Sequence, residues 1–228
     1  VCDAYETALL ASSATDVWLV NTNTNYSNGE SITRDKGSVP LNSLNSNTFT
    51  TGILTDPCAT EYAVPRNEST GGFLASSGFN TSMTFGMAAL VAGGPDGGHR
   101  STLLYKRQES ANYIAISWPY SNGTDMRFQF SSSAGLFDLR YDDFCTDQEA
   151  LVVSFTFDDA TNTYTLWKNW LEYDTGTVAF TPVGGSPQIT FGQSYRGKMS
   201  HLAYWNATVI TAQEAAALRN GWELNQNV

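Results

Sequence analysis

The stretch Gly197-Lys-Met-Ser-His-Leu-Ala-Tyr-Trp-Asn-Ala-Thr-Val-Ile-Thr-Ala-Gln-Glu-Ala-Ala-Ala-Leu218 decides how the rest of the chain is read. Its first part, Lys198–Trp205, reads as a strand. Thr211 then opens a short helix, and Glu214, three residues on, completes a Thr-x-x-Glu capping box. Ala212, Ala215, Ala216 and Leu218 make a small apolar face at helical spacing. A lone helix of this kind, in a chain otherwise patterned for strands, has to dock on a sheet to bury that face.

Moving back along the chain, the strand pattern repeats. Leu151, Val153, Phe155 and Phe157 alternate with Val152, Ser154 and Thr156, as a strand with one inward face requires. Asp158-Asp-Ala-Thr-Asn162 supplies turn chemistry before the next strand, Thr163–Lys168. Further strands are expected at Ser82–Val91, Ser101–Arg107, Tyr113–Trp118, Met126–Ser131, Leu136–Tyr141, Ala150–Asp158, Gly176–Phe180 and Gln188–Phe191. Residues 21–72 are rich in Asn, Ser, Thr and Gly, with Pro40, Pro57 and Pro65. They read as loops with short edge strands at Ser38–Leu41, Gly52–Leu54 and Tyr62–Val64. At the start, Ala4, Ala8 and Leu9 have the spacing of a short amphipathic helix, followed by a strand at Val17–Val20. About ten strands without βαβ alternation argue for an all-β, antiparallel two-sheet sandwich, with short helices at both ends.

The terminal strand and helix, together with the hairpin Leu151–Trp170, resemble laminin-G-like domains of the concanavalin A-like lectin and glucanase superfamily. The helix-then-strand opening resembles the same group more loosely. In relatives the hairpin's second strand carries a Tyr-Val-Asn-Gly-like stretch before its turn; here Leu166-Trp-Lys-Asn-Trp170 places Trp170 where the Gly is expected. The resemblance spans Tyr5–Glu223 and implies a jelly roll forming a single domain over residues 1–228. It further implies recognition of sugars, proteins or surfaces in most members and glycosidase activity in some.

Composition narrows the function classes. Charged residues are 15% of the chain against a usual ~25%, so Ser, Thr, Asn and Gly must supply the polar surface. A formal charge of −10 with only 12 Lys and Arg argues against nucleic acid, whose phosphates need clustered cations. No stretch approaches the ~20 apolar residues of a membrane span, so membrane insertion is not expected. The chain begins at Val1, which reads as a processed product or a fragment. Cys2, Cys58 and Cys145 have no paired spacing and leave two readings: one disulfide with one buried thiol, or three thiols. Sequons occur at Asn25, Asn67, Asn80, Asn122 and Asn206. With 17 Asn, and 48 Ser or Thr among 228 residues, composition alone gives about four.

Residues able to carry chemistry are few. Glycosidases of this resemblance place three acids on one strand face, and alternation aims all three into a cleft. Glu172-Tyr-Asp174 is the nearest match; it lacks the third acid and is expected in a solvated turn. His99 lies in a Gly-rich loop and His201 in the last strand. Neither belongs to a Gly-x-Ser-x-Gly elbow or a zinc set. Calcium is a candidate cofactor because relatives hold it on the sandwich rim through oxygen ligands. Asp56, Asp96, Asp125, Asp142 and Asp143 are the loop acids available. Trp18 and Trp205 fit core positions, whereas Trp118, Tyr120, Trp170 and Tyr173 fall near loops. An aromatic face there would stack on the C–H face of a sugar ring while nearby Asn and Asp satisfy its hydroxyls.

Three functions follow. The first is a non-enzymatic domain on an extracellular or virion surface that recognises carbohydrate or protein through those four aromatics. The second is a structural or decoration subunit of a virion, fibre or filament, contacting neighbouring subunits through residues 21–72. The third is a glycoside hydrolase with an unfamiliar site.

Overall fold

The computed structural model of the chain describes residues 4–20, 27, 29–44, 73–77, 83–92, 102–109, 112–117, 125–145, 150–180, 188–193 and 198–226. After helix α1 (Ala4–Ala11) come strands β1 (Asp16–Trp18), β2 (Asn42–Leu44), β3 (Phe73–Ser77), β4 (Phe85–Ala92), β5 (Thr102–Glu109) and β6 (Asn112–Ser117). They are followed by β7 (Met126–Ser132), β8 (Gly135–Tyr141), β9 (Leu151–Asp158), β10 (Thr163–Lys168), β11 (Leu171–Thr177), β12 (Gln188–Gln193) and β13 (Lys198–Asn206). Helix α2 (Ala212–Gln226) ends the described chain. One sheet has six strands in the order β1-β13-β4-β9-β10-β11, the other seven in the order β2-β3-β12-β5-β6-β7-β8. Every pairing within them is antiparallel. The expected two-sheet sandwich with a helix at each end is the observed architecture.

Between the sheets lies a core rich in phenylalanine. Phe128 meets Phe155 at 5.4 Å and Phe130 meets Phe157 at 5.5 Å between ring centroids, joining β7 to β9 across the layers. Tilted and edge-on rings of this kind add ~1 kcal/mol per pair beyond the area they bury. The inward side chains of β9 alternate as expected. Its other face is covered too, because Val152 joins a second apolar cluster under the helices.

That second cluster explains why both helices exist. Tyr5 and Leu9 of α1 and Ala215, Leu218 and Trp222 of α2 pack with Trp167, Trp170 and Trp205 on the outer face of the six-stranded sheet. The two helices touch closely at Gly221, where an added Cβ would lie 2.8 Å from the Ala4 carbonyl oxygen and 2.9 Å from Ala8 Cβ. The Thr211 hydroxyl accepts from the Glu214 N–H at 3.2 Å, so the N-cap is as expected. Glu214 is turned to other partners. Its carboxylate accepts from the Ser13 N–H at 2.6 Å, the Ser13 hydroxyl at 2.9 Å and the Trp205 indole N–H at 3.1 Å. The residue expected to close a local box thus ties α2 to the chain after α1.

Several expected boundaries move. The edge strand placed at Ser38–Leu41 is found at Asn42–Leu44, and Leu41 instead accepts a backbone bond from Ile32 at 2.8 Å. The strand placed at Gly176–Phe180 begins at Leu171, because the hairpin turns at Asn169-Trp170. The proposed strands Gly52–Leu54 and Tyr62–Val64 lie outside the described residues. No helix among the described residues is long and apolar enough to cross a membrane.

Candidate functional site

Strand β11 forms one edge of the six-stranded sheet, and β8 forms an edge of the seven-stranded sheet. The β10–β11 hairpin closes through two residues with positive φ, Asn169 at 51° and Trp170 at 63°. A two-residue hairpin of matching twist needs φ > 0 at both positions, which is why Asn-Gly is preferred there. Asn169 suits the role and also locks it. Its N–H donates to the Val152 carbonyl at 2.8 Å, and its side-chain oxygen accepts from the Val152 N–H at 2.7 Å.

Three residues beyond the turn the register slips. Trp167 pairs with Glu172 but Leu166 pairs with Asp174, leaving Tyr173 as the extra residue of a β-bulge. Strict alternation would put Tyr173 and Asp174 on opposite faces of the sheet. A bulge re-aims a side chain, and here both turn toward β8. The Tyr173 ring meets Phe144 at 4.6 Å and Tyr141 at 5.3 Å, edge-on in each case. It remains 43% exposed. The hydroxyls of Tyr141 and Tyr164 both donate to Asp174 Oδ2, the latter at 2.9 Å, and Oδ1 accepts from the Thr175 N–H at 2.9 Å. Lys168 Nζ donates to the Phe144 carbonyl at 2.5 Å and sits 5.4 Å above that ring. Gly176 leaves the room this needs, since a Cβ there would lie 3.0 Å from the Tyr164 hydroxyl.

The result is a partly exposed aromatic ring beside a carboxylate fixed in orientation by three donors, at the seam between the sheets. Burial and the neighbouring Asp174 hold both phenols protonated well above their ordinary range. Tyr164 is pushed up to about 12, and Tyr141 is raised by burial first and by its bond to Asp174 second. Such a patch can stack a sugar ring and accept its hydroxyls.

The four aromatics named from sequence are not one group. Tyr173 stands in this patch, and Trp118 and Tyr120 lie outside the described residues. Trp170 is only 2% exposed and faces Trp205 at 6.2 Å and Tyr5 at 6.5 Å beneath the helices. This corrects the expectation that Trp170 offers a ring to ligand: its place in the turn points it into the helix-covered cluster. The turn expected to contain Glu172 and Asp174 is likewise a strand. Glu172 lies opposite Trp167 of the helix-side cluster, while Asp174 lies opposite Leu166 of the inter-sheet core. The two acids thus take opposite faces and cannot flank one glycosidic bond.

A hydroxyl–imidazole–carboxylate chain occurs elsewhere. A bulge in β13 between Ser200 and Ala203 brings His201 to φ 49° and turns its ring toward α1. Ser200 Oγ lies 2.7 Å from Nδ1, and Nε2 lies 3.1 Å from Glu6 Oε1. The composition is that of a hydrolase relay. Ser200 and His201 are fully buried, so no substrate reaches the hydroxyl, and the chain fastens α1 to β13.

The remaining candidates separate. Asp125 is buried just before β7, while Asp142 and Asp143 are exposed in the turn after β8. Asp56, Asp96 and His99 lie outside the described residues. Among the described residues no three His, Cys, Asp or Glu side chains form a metal-binding group. Cys145 is buried; Cys2 and Cys58 lie outside the described residues. Of the sequons, Asn206 is half-buried at the end of β13, with its N–H donating to Thr15 Oγ1 at 3.2 Å. Asn25, Asn67, Asn80 and Asn122 lie outside the described residues. Sequence reading missed Tyr141, Phe144, Tyr164 and Lys168 because the bulge that gathers them leaves no compositional trace. Glu6 was missed for a similar reason, since its partner His201 is 195 positions away.

No family model matches the chain, and no curated protein matches it in sequence. Solved structures do share its fold. Domain 4 of AbnA, a GH43 extracellular arabinanase from Geobacillus stearothermophilus, in complex with arabinotriose, is similar at 12% identity and TM-score 0.66 over 91% of this chain and 98% of that one. The binding domain of botulinum neurotoxin DC, in complex with SialylT, is similar at 12% identity and TM-score 0.63 over 92% of this chain and 52% of that one. Trypanosoma rangeli sialidase is similar at 12% identity and TM-score 0.64 over 93% of this chain and 33% of that one. The chain thus spans nearly all of the arabinanase domain but only about half and a third of the other two.

Proposed function

We propose that this chain is a non-catalytic carbohydrate-recognition domain of the laminin-G-like, concanavalin A-like type, forming one unit and acting on an extracellular or virion surface. The observation that carries the reading is the 43% exposed Tyr173 ring set beside the anchored Asp174 carboxylate. The complexes of two fold neighbours with arabinotriose and SialylT support sugars as the ligand class. The opposed faces of Glu172 and Asp174 support recognition without hydrolysis. Trp118 and Tyr120 are proposed to extend the contact. A glycan array tests the proposal: binding is expected, and Tyr173→Ala should weaken it several-fold to about tenfold, a stacked ring being worth roughly 0.5–1.5 kcal/mol. Retained binding in that variant would count against the site. The same array with EDTA tests a calcium requirement.

A second reading, assembly with neighbouring subunits of a virion, fibre or filament, draws support from Leu136 and Leu171. Both are exposed, at 56% and 49%, on the edge strands β8 and β11, and edge strands offer unpaired backbone groups to a neighbour. Light scattering separates the readings, since a monomer at high concentration would oppose assembly.

A further inference from the structure

We infer that Tyr141 is a positioning residue for the Tyr173 site, and that through Asp174 it makes the site select glycans presenting a free hydroxyl beside the stacked ring face. This rests on the glycan-binding reading and adds a specificity-determining residue and a required ligand group to it. Tyr141 touches both halves of the site. Its ring meets the Tyr173 ring edge-on, at 5.3 Å and 87°, and its hydroxyl donates to Asp174 Oδ2. It reaches them from β8, whereas Tyr173 and Asp174 stand on β11 of the opposite sheet. Tyr164, the second donor to Oδ2 at 2.9 Å, is held differently. Its ring packs in the inter-sheet core, 5.5 Å from Phe128 and 5.7 Å from Phe130. One phenol thus anchors the carboxylate to the core, and the other sets it against the exposed ring.

The bonds on Asp174 name what the ligand must supply. An ionised carboxylate only accepts, and it has about four positions. Both phenols fill Oδ2 in the partly buried seam, while Oδ1 takes the Thr175 N–H at 2.9 Å at the surface. Asp174 itself is half-buried between the exposed Tyr173 and Thr175. The position left on Oδ1 is on the open side and calls for a donor. A sugar hydroxyl supplies one. A deoxygenated or O-methylated carbon at that point does not, and it leaves the carboxylate shielded from water without a partner. Two O–H donors on Oδ2 hold the carboxyl plane in place before any ligand arrives, so the open position is fixed relative to the Tyr173 ring. Without the Tyr141 hydroxyl, Oδ2 keeps a single donor. The carboxylate then turns more freely about its last torsion, whose preference is broad, and its open position is no longer tied to the ring.

The test is an NMR titration with methyl glycosides of glucose, galactose, mannose and arabinose, each beside its monodeoxy and mono-O-methyl derivatives. The proteins are the unmodified chain, Tyr141→Phe and Tyr173→Ala. Tyr141→Phe keeps the edge-on ring and removes only the hydroxyl, so it isolates the bond to Asp174. In the unmodified chain, removing one particular hydroxyl of a bound sugar is expected to weaken binding about tenfold, as a hydrogen bond to a charged group does. In Tyr141→Phe the parent sugar should bind several-fold more weakly, and the penalty for removing that hydroxyl should shrink at least about threefold. A merely structural role would weaken parent and deoxy sugar by the same factor, and that result would overturn the assignment. So would undiminished binding by Tyr141→Phe, or equal binding of every deoxy derivative to the unmodified chain. In each of these cases a loss on Tyr173→Ala leaves the glycan site standing. Failure of all the sugars to bind, or binding indifferent to Tyr173→Ala, would overturn both.

Discussion

Trp170 holds φ at 63°, an angle that bulky side chains avoid at a cost of roughly 1–2 kcal/mol. It persists because burial outweighs that strain: truncating a buried Trp costs about 3–5 kcal/mol. Two consequences can be measured by urea unfolding. Trp170→Ala should lower stability by about 3–5 kcal/mol, and Trp170→Gly should be milder by about 1 kcal/mol because Gly accepts the angle. Neither change should alter glycan affinity per folded molecule, in contrast to Tyr173→Ala; a parallel loss of binding would contradict the separation of the two rings. Sequence flagged both aromatics but assigned them one role. Period-2 counting cannot reveal where an extra residue interrupts a strand, and that interruption is what exposes Tyr173. Alkaline pH probes the same patch. Tyr164 titrates at about 12 when folded, above the ~10 of an unfolded chain, so the folded state holds its proton more tightly. Its contribution is complete below pH ~10 and declines as pH climbs toward 12. Tyr164→Phe should therefore flatten the fall of the urea midpoint above pH ~10; an unchanged slope would argue against the assignment.

Among elements, the two helices show how a local preference can be reversed by tertiary contact. By helix propensity, Gly221→Ala inside α2 should stabilise by about 1 kcal/mol. The added Cβ would instead press within 3.0 Å of Ala4 and Ala8 on α1, and such overpacking costs about 1–3 kcal/mol. Gly221→Ala is therefore expected to be neutral to destabilising, and Gly221→Val clearly destabilising, by thermal unfolding. A stabilised Gly221→Val would refute the close approach. The cap at Thr211 and the apolar faces of both helices were legible, since capping and periodicity are written in neighbouring residues. The partners of Glu214 were not, because Ser13 is 201 positions away. The shifted start of β11 has a similar origin. Asn-Trp lacks the Gly that marks most tight hairpins, so the turn was expected too far along, around Glu172–Asp174, and its strand was placed too late.

For the molecule as a whole, the layering was readable because it depends on summed alternation over many strands, which survives errors at individual boundaries. The seam between β8 and β11 was not readable. It exists only once two sheets are stacked and each has an outermost strand, a property of topology rather than of any segment. The same topology places β1 beside β13 and α1 beside α2. Ending the chain after Ile210 would strip α2 from Tyr5, Trp170 and Trp205 and bare a broad apolar surface. Such a truncation is expected to bind a hydrophobic dye and aggregate; a soluble, cooperatively unfolding product would contradict the role given to α2.

The pairing of α1 with α2 also bears on biosynthesis. Residues 4–11 leave the ribosome long before residues 212–226 are translated, so the first helix must wait until every strand of both sheets has been made before its partner exists. Completion of this packing is then deferred until α2 has emerged, and the nascent chain carries Tyr5 and Leu9 unsheltered meanwhile, an interval in which a holding chaperone would be of most use.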